Sequence, residues 1–161
     1  MSNPEIKNAE ISESVTFGDN VTVVLPVNLY GCSIGNNSFI GPFVEIQSEV
    51  TIGSNSKIQS HSFICSLVAI GDDCFIGHGV VFVNDKFSKG GPAGGDKNQW
   101  GSCKIGDRVS IGSNATILPV SICNDVVIGA GAVVACDITE AGKYAGVPAK
   151  KICSLPICKI N

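Results

Sequence analysis

Aliphatic residues recur at every sixth position through the middle of this chain. Between residues 34 and 82 the repeat has no gap and is formed by Ile34, Ile40, Ile46, Ile52, Ile58, Ile64, Ile70, Ile76 and Phe82. An amphipathic helix repeats every 3.6 residues and cannot hold this spacing on one face, whereas short strands joined by tight corners can. The repeat therefore predicts a solenoid in which each coil buries the apolar side of its neighbour.

A second stripe of residues supports the same fold. The fourth residue after each of the first eight repeats is small or β-branched, as inward positions beside the main stripe require: Ser38, Val44, Val50, Ser56, Ser62, Val68, Cys74 and Val80. Glycines that directly follow aliphatic residues, such as Gly35, Gly53 and Gly77, suit corners that need a permissive backbone. With three six-residue sides per coil, we expect about six coils stacked about 4.8 Å apart.

The repeat also divides the chain into segments. It starts at Ile11 and fades after Ile138, which predicts a β-helix over residues 11–138, a polar lead-in over residues 1–10 and a non-repeating C-terminal tail over residues 139–161. It is interrupted between Phe82 and Ile105 by a glycine-rich stretch. Long excursions from a rigid scaffold are often functional, so residues 84–104 are predicted to form one protruding loop that carries function.

Composition excludes several classes of function. Charged residues make up 16% of the chain and the formal net charge is −3, which argues against nucleic acid or an anionic membrane as a partner. The first ten residues have no signal-peptide pattern and no apolar run approaches the ~18 residues of a membrane span, so we expect a cytoplasmic protein. The eight cysteines form no CxxC pair and have no histidine spacing suited to zinc, so we expect structural thiols and no metal.

The repeats IGNNSF, IGPFVE, IGSNSK, IGDRVS, IGSNAT and IGAGAV resemble those of the hexapeptide-repeat acyltransferases, and the resemblance covers residues 11 to about 152. It implies an all-β fold, a left-handed parallel β-helix, a homotrimer, and acetyl-CoA bound between neighbouring subunits. The segments HSFIC at 61–65 and GHGVVFVND at 77–85 resemble the branch that N-acetylates amino sugars carried on nucleotide diphosphates. That branch implies a role in the biosynthesis of surface polysaccharide such as lipopolysaccharide.

The C-terminal half carries the resemblance to the coenzyme site. IGAGAVV at 128–134 and YAGVPAKKI at 144–152 are similar to segments that follow the arm of coenzyme A. By position, the resemblance implies that Ser113 and Ala130 line the pantetheine and that Lys150 lies near the phosphates. Cys136 departs from the family, because many relatives have a lysine there. The alternative is that coil geometry alone demands small corner residues and that Lys150 and Lys151 are an ordinary solvated pair.

The histidines are the candidates for acid–base chemistry. Many O-acetylating relatives carry a histidine base in the long loop, but the loop between Lys86 and Lys104 contains none. A hydroxyl must lose its proton as it attacks, whereas a neutral amine attacks directly, so this absence favours N-acetylation. His61 and His78 are the only two histidines and are expected at one corner. We expect His78 to be the base or a donor to the thioester oxygen and His61 to contact the substrate; the alternative for each is a structural corner residue.

The start of the loop carries the remaining site candidates. The resemblance makes Asn84 a sugar contact, and Asp85 is placed to hold the incoming ammonium and accept its proton. An Asn-Asp pair also commonly starts a turn by bonding its own backbone, which is the alternative for Asp85. Lys86 offers positive charge for a diphosphate, and Trp100 is expected to anchor the returning arm of the loop on a neighbouring subunit.

Other functions stay open on the sequence alone. An O-acetyltransferase of a sugar or antibiotic is the main alternative, since His61 or His78 could replace the missing loop base. A non-catalytic β-helix scaffold subunit is a third possibility. A γ-class carbonic anhydrase shares this kind of solenoid but needs three histidines on zinc, and the chain has two in total.

Overall fold

The computed structural model describes residues 10–153, which form a parallel β-solenoid with three faces. Most strands are two residues long, and most end on a buried aliphatic side chain. In chain order the strands are β1 Thr16–Phe17, β2 Thr22–Val23, β3 Asn28–Leu29, β4 Ser33–Ile34, β5 Phe39–Ile40, β6 Glu45–Ile46, β7 Thr51–Ile52, β8 Lys57–Ile58, β9 Phe63–Ile64, β10 Val68–Ile70, β11 Phe75–Ile76, β12 Val81–Phe82, β13 Cys103–Ile105, β14 Ser110–Ile111, β15 Thr116–Ile117, β16 Ser121–Ile122, β17 Val126–Ile128, β18 Val133–Val134, β19 Gly142–Ala145 and β20 Lys150–Cys153.

Each strand up to β15 pairs in parallel with the strand three places further along the chain. The first face is β1-β4-β7-β10-β13-β16, the second is β2-β5-β8-β11-β14-β17-β19-β20, and the third is β3-β6-β9-β12-β15-β18. The pairing is in register, so that Ile40 lies on Ile58 and Ile46 lies on Ile64. The six-residue repeat is therefore the length of one side of a coil. The predicted fold class, an all-β parallel β-helix, is confirmed.

Both predicted stripes point into the core. Every member of the uninterrupted aliphatic stripe and every member of the small-residue stripe is buried. The serines of the second stripe are tolerated there because their hydroxyls donate to backbone carbonyls of the next coil. These bonds join Ser38 to Gly53 at 2.9 Å, Ser56 to Gly71 at 3.0 Å and Ser62 to Gly77 at 2.8 Å.

The long excursion leaves the stack after β12 and rejoins it at β13. Cys103 and Lys104, the last two residues of the predicted loop, pair with β10 and so belong to the first face. The loop also contains a short 3₁₀ helix at Lys97–Gln99. Asp96 begins this helix by accepting a hydrogen bond from the backbone N–H of Asn98.

The described part of the predicted non-repeating tail contains two strands. β19 pairs in parallel with β17, and β20 then turns back to pair antiparallel with β19. Residues 142–153 therefore extend the second face beyond the last hexapeptide. The expectations for residues 1–9 and 154–161 lie outside the described residues. Over residues 10–153 the structure has no helix with the length and apolarity that a membrane span requires.

Candidate active site

The corner between the second and third faces carries a column of candidate residues. Backbone hydrogen bonds align successive coils there: Asn114 donates its N–H to the carbonyl of His78 at 2.8 Å, and Gly131 donates to the carbonyl of Ser113 at 2.9 Å. The column contains one residue from each of four coils, in the order Ser60, His78, Ser113 and Ala130. Three of the residues predicted to meet the substrate or coenzyme therefore lie on one edge of the solenoid.

His78 is held by a serine from the coil below. Its Nδ1 lies 2.8 Å from Oγ of Ser60, and its ring is exposed. When Nδ1 carries the proton and donates to this hydroxyl, Nε2 keeps its lone pair and can accept a proton. The arrangement thus orients an imidazole base outward from the corner.

His61 occupies the same corner, one residue further along the coil that contains Ser60. Its ring stacks on Phe43 of the preceding coil, with ring centroids 4.8 Å apart and planes inclined by 11°. His61 has a φ of +63° and Phe43 a φ of +61°, so both sit at left-handed corner positions. Both side chains are exposed.

The upper part of the column is lined by backbone. A Cβ on Gly112 would lie 2.5 Å from the backbone N of Ala130, and a Cβ on Gly77 would lie 2.8 Å from the backbone N of Ser113. Only glycine allows this close approach of successive coils. Because Ser113 and Ala130 are small, the surface beside them offers backbone polar groups of the kind that bind amides.

A second cluster lies at the far edge of the third face, where the loop begins. Asn84 donates its side-chain N–H to the carbonyl of Ser66 at 3.3 Å. The carboxylate of Asp85 accepts the backbone N–H of Phe87 at 2.9 Å through Oδ1 and that of Ala93 at 2.7 Å through Oδ2. Asp85 therefore shapes the loop, which fits the alternative that it starts a turn, and its predicted catalytic role stays a prediction.

The loop and the third face enclose an open groove of about 440 Å³. Its wall is mostly apolar, with a polar end at Asn84 and Asp85. The lining comprises Gln47, Phe63, Cys65, Val81, Phe82, Val83, Asn84, Asp85, Phe87, Gly94, Gly95 and Trp100. Trp100 thus lines a groove of its own chain, and an ion pair of Lys97 with Glu49 holds the loop against the solenoid. Lys86 is exposed beside this groove.

The structure keeps the two clusters apart within one chain. His78 precedes β12 at one edge of the third face, whereas Asn84 and Asp85 follow β12 at the other edge. Lys150 is exposed in β20 on the extended second face, and the neighbouring Lys151 pairs with Glu140 at 2.8 Å. Over residues 10–153 no three side chains of His, Cys, Asp or Glu gather in a way that could hold a metal ion.

Two contacts were not foreseen from the sequence. The sequence analysis did not single out Ser60 or Phe43, yet each contacts a candidate histidine. A signal was present, because both pairs are 18 residues apart and three hexapeptide sides make one coil. Any polar or aromatic pair at that spacing on a corner is expected to be stacked.

Comparison with known proteins identifies the family of this chain. Bacterial transferase hexapeptide (six repeats) matches residues 31–66, and the hexapeptide repeat of succinyl-transferase matches residues 67–83 and 103–136, on either side of the loop. The chain is 34% identical over 148 residues to the putative lipopolysaccharide biosynthesis O-acetyl transferase WbbJ of Escherichia coli K12, over 86% of this chain and 71% of WbbJ. The chain belongs to the hexapeptide-repeat transferases.

Two further likenesses place this hexapeptide-repeat transferase among its relatives. It is 34% identical over 111 residues to the bifunctional protein GlmU of Acinetobacter baumannii, over 68% of this chain and 22% of GlmU, so it spans about a fifth of that relative's length. The structure of a mutant of AntD, an N-acyltransferase from Bacillus cereus in complex with dTDP and coenzyme A, is 28% identical to it. That superposition has a TM-score of 0.76 and covers 86% of this chain and 82% of AntD.

Proposed function

We propose that this protein is an N-acetyltransferase that moves the acetyl group of acetyl-CoA to the amino group of a nucleotide-diphosphate-linked amino sugar. The observation that carries the proposal is the corner column, in which the outward-facing imidazole of His78 is oriented by Ser60 and followed by Ser113 and Ala130. The likeness to AntD supports it, because AntD is an N-acyltransferase that was solved with dTDP and coenzyme A.

Coenzyme A would lie along the upper part of the column. The pantetheine amides would meet the backbone at Ser113 and Ala130, where the neighbouring glycines keep the surface free of side chains. Lys150 would face the phosphates from β20, since its ammonium is exposed. No metal has a part in this chemistry.

The proposed reaction starts from a neutral amine that lies next to the thioester. The amine nitrogen attacks the carbonyl carbon, a C–N bond forms, and negative charge develops on the carbonyl oxygen. The C–S bond then breaks, Nε2 of His78 accepts the proton that the nitrogen loses, and the thiolate of coenzyme A leaves and takes up a proton. General-base assistance of this kind typically contributes 10²- to 10⁴-fold.

The acceptor site would be completed by a second copy of the chain. His78 and Asn84 lie at opposite edges of the third face, so a site that uses both is built where the corner of one subunit meets the loop of the next. In a homotrimer each of three such interfaces would hold one site. His61 and Asn84 would contact the substrate sugar, Lys86 its diphosphate, and Asp85 the incoming ammonium.

The cellular setting is part of the same proposal. A cytoplasmic enzyme would find both acetyl-CoA and nucleotide-linked sugars, and the modified sugar would enter the biosynthesis of a surface polysaccharide. The likeness to WbbJ, a putative lipopolysaccharide biosynthesis O-acetyl transferase, is compatible with that setting.

WbbJ also favours the second candidate, an O-acetyltransferase of a sugar, because it is 34% identical over 148 residues. In that case His78 would deprotonate a hydroxyl rather than an amine. The histidine-free loop argues for the amine, since many O-acetylating relatives have a base there.

Two measurements test the proposal in order. Coenzyme A at a hundredfold its dissociation constant should stabilise the folded protein by about 2.7 kcal/mol, and the absence of any thermal shift at millimolar coenzyme A would remove the transferase reading. Release of coenzyme A is then followed with nucleotide-linked 3-amino and 4-amino sugars and with their hydroxy counterparts. We expect turnover with an amino sugar, and turnover with hydroxyl acceptors only would establish the O-acetyltransferase instead.

A further inference from the structure

Phe43 and His61 form an exposed aromatic platform below the column. Phe43 is 57% exposed although it is a large apolar side chain, and one face of its ring is covered by His61. Its φ of +61° places a bulky residue at a left-handed corner position, where glycine or asparagine would be less strained. Left-handed corner positions recur in most coils of the described chain, so the backbone angle belongs to the fold, and what sets this corner apart is the exposed stack of two aromatic rings.

A small cavity of about 230 Å³ borders the platform on the third face. It is lined by Pro26, Val27, Asn28, Phe43, Val44 and Glu45. Asn28 and Glu45 are register partners in adjacent strands, and both side chains point outward beside the Phe43 ring. The cavity therefore combines an aromatic face with one amide and one carboxylate.

We propose that this platform binds the nucleobase of the acceptor, with the ring stacked on Phe43 and its edge read by Asn28 and Glu45. This inference rests on the proposed function and adds the class of base. An amide N–H₂ donates to a carbonyl, and a carboxylate accepts from a ring N–H. Uracil, thymine and guanine carry a ring N–H next to a carbonyl, whereas adenine and cytosine carry a ring acceptor at that edge.

The position of the platform fits the rest of the column. Phe43 lies two coils below the corner that contains His78, which is about 10 Å along the axis, and Ser113 and Ala130 lie one and two coils above it. A ribosyl diphosphate can bridge a separation of that order. The acceptor would then run down the corner from His78 while coenzyme A runs up, so the amine and the thioester meet at the imidazole.

The direction of the Glu45 carboxylate is fixed by hydrogen bonding. Oε1 of Glu45 accepts a hydrogen bond from Nε2 of Gln47 at 3.2 Å, and the Tyr30 hydroxyl also bonds this carboxylate, so two neighbours orient it. A carboxylate has about four acceptor sites, which leaves capacity for a ligand. In the proposed pairing Glu45 faces the ring nitrogen and Asn28 faces the exocyclic oxygen, so a base with a ring acceptor at that position would meet the carboxylate with like partial charge. The edge of the cavity therefore selects among bases, while the stack supplies affinity for any of them.

Calorimetry with nucleoside diphosphates tests the platform. The protein and three variants are each titrated with UDP, TDP, GDP, ADP, CDP and coenzyme A. The variants are Phe43→Ala, Glu45→Gln and the control Phe75→Ala. The ring of Phe75 is exposed on the second face, outside every proposed site. We expect at least one of UDP, TDP and GDP to bind more tightly than ADP and CDP. Phe43→Ala should weaken that binding about 5- to 150-fold, as loss of one base stack does, and leave coenzyme A binding unchanged.

The remaining outcomes decide against the platform. It is overturned if coenzyme A binds but no diphosphate does, if ADP and CDP bind as well as the best of the others, or if Phe43→Ala binds like Phe75→Ala. It is also overturned if Phe43→Ala alters the oligomeric state instead, because Phe43 is then a subunit contact. If Phe43→Ala acetylates a nucleotide-linked amine with unchanged KM, the proposed function stands and the platform does not.

Discussion

Oγ of Ser60 lies 2.8 Å from Nδ1 of His78, and the two residues are one full coil apart, 18 positions in sequence. A hydrogen bond on one ring nitrogen sets the tautomer and direction of the other. The direction of the free ring nitrogen is thus set by two adjacent coils of the solenoid.

Replacement of His78 tests whether this imidazole takes the proton. His78→Asn removes the base and should lower kcat about 10²- to 10⁴-fold with little change in KM for acetyl-CoA. Ser60→Ala keeps the base but loses its orientation, so its loss of kcat should be smaller. Steady-state release of coenzyme A measures both, and a near-normal kcat for His78→Asn would mean that no protein base is needed.

Substitution of a corner glycine tests the surface proposed for coenzyme A. In Gly112→Ala the new Cβ would lie 2.5 Å from the backbone N of Ala130, so neighbouring coils must shift at a cost of about 1–3 kcal/mol. We expect a lower melting temperature and weaker coenzyme A binding. Gly91→Ala is the matched control, because no atom lies within 4 Å of its added Cβ. Equal melting temperatures and affinities for the two variants would refute the close approach.

Thiol reactivity tests the assignment of the cysteines as core residues. Burial raises the pKa of Cys32 and Cys103 to about 11 and that of Cys65 to about 12, and only the thiolate reacts with alkylating agents. Between pH 7 and 9 iodoacetamide should therefore label the exposed Cys136 and leave the three buried thiols unlabelled. Peptide mass spectrometry identifies the labelled cysteines. Labelling of Cys65 as fast as Cys136 in the native protein would contradict its burial.

Complementation tests whether the site is shared between subunits. His78→Asn and Asn84→Ala each damage one edge of the third face, so both variants alone should be poorly active. In a trimer that contains both variants, one of the three interfaces combines an intact His78 with an intact Asn84, which is about one third of the wild-type number. Coexpression with two affinity tags gives the mixed species, and its activity should approach that fraction of wild type. A mixture no more active than its separate parts would place the whole site in one chain.

The core of the fold could be predicted from sequence because the same six-residue pattern recurs on every side of the coil. Ile40, Ile58 and Ile76 are each buried by the same residue type in the adjacent coil, so a single stripe predicts the strands, the register and the core. β19 and β20 were not predicted, because their pairing depends on a local reversal after the last hexapeptide and not on the period. Gly142, at a φ of +151°, packs so closely against the carbonyl of Cys153 that a Cβ would lie 2.9 Å from it.

The candidate site was predictable only where it follows the period. His61 and His78 lie at one corner as their spacing suggested, since the period fixes which residues share an edge. The bonds of Asp85 to Phe87 and Ala93 depend on the path of an irregular loop, for which the sequence has no repeat to follow. The separation of His78 from Asn84 follows from coil geometry, because one residue precedes β12 and the other follows it across the third face.

The most direct measurement is the chemical nature of the acetylated product. The protein is incubated with acetyl-CoA and a nucleotide-linked amino sugar, and the product is isolated and treated with alkaline hydroxylamine, which cleaves oxygen esters but not amides. We predict an acetylated sugar that keeps its acetyl group through this treatment and forms about 10²- to 10⁴-fold more slowly when His78 is replaced by Asn. Release of the acetyl group by hydroxylamine, or no acetylated sugar at all with any amino acceptor, would contradict acetyl transfer to nitrogen.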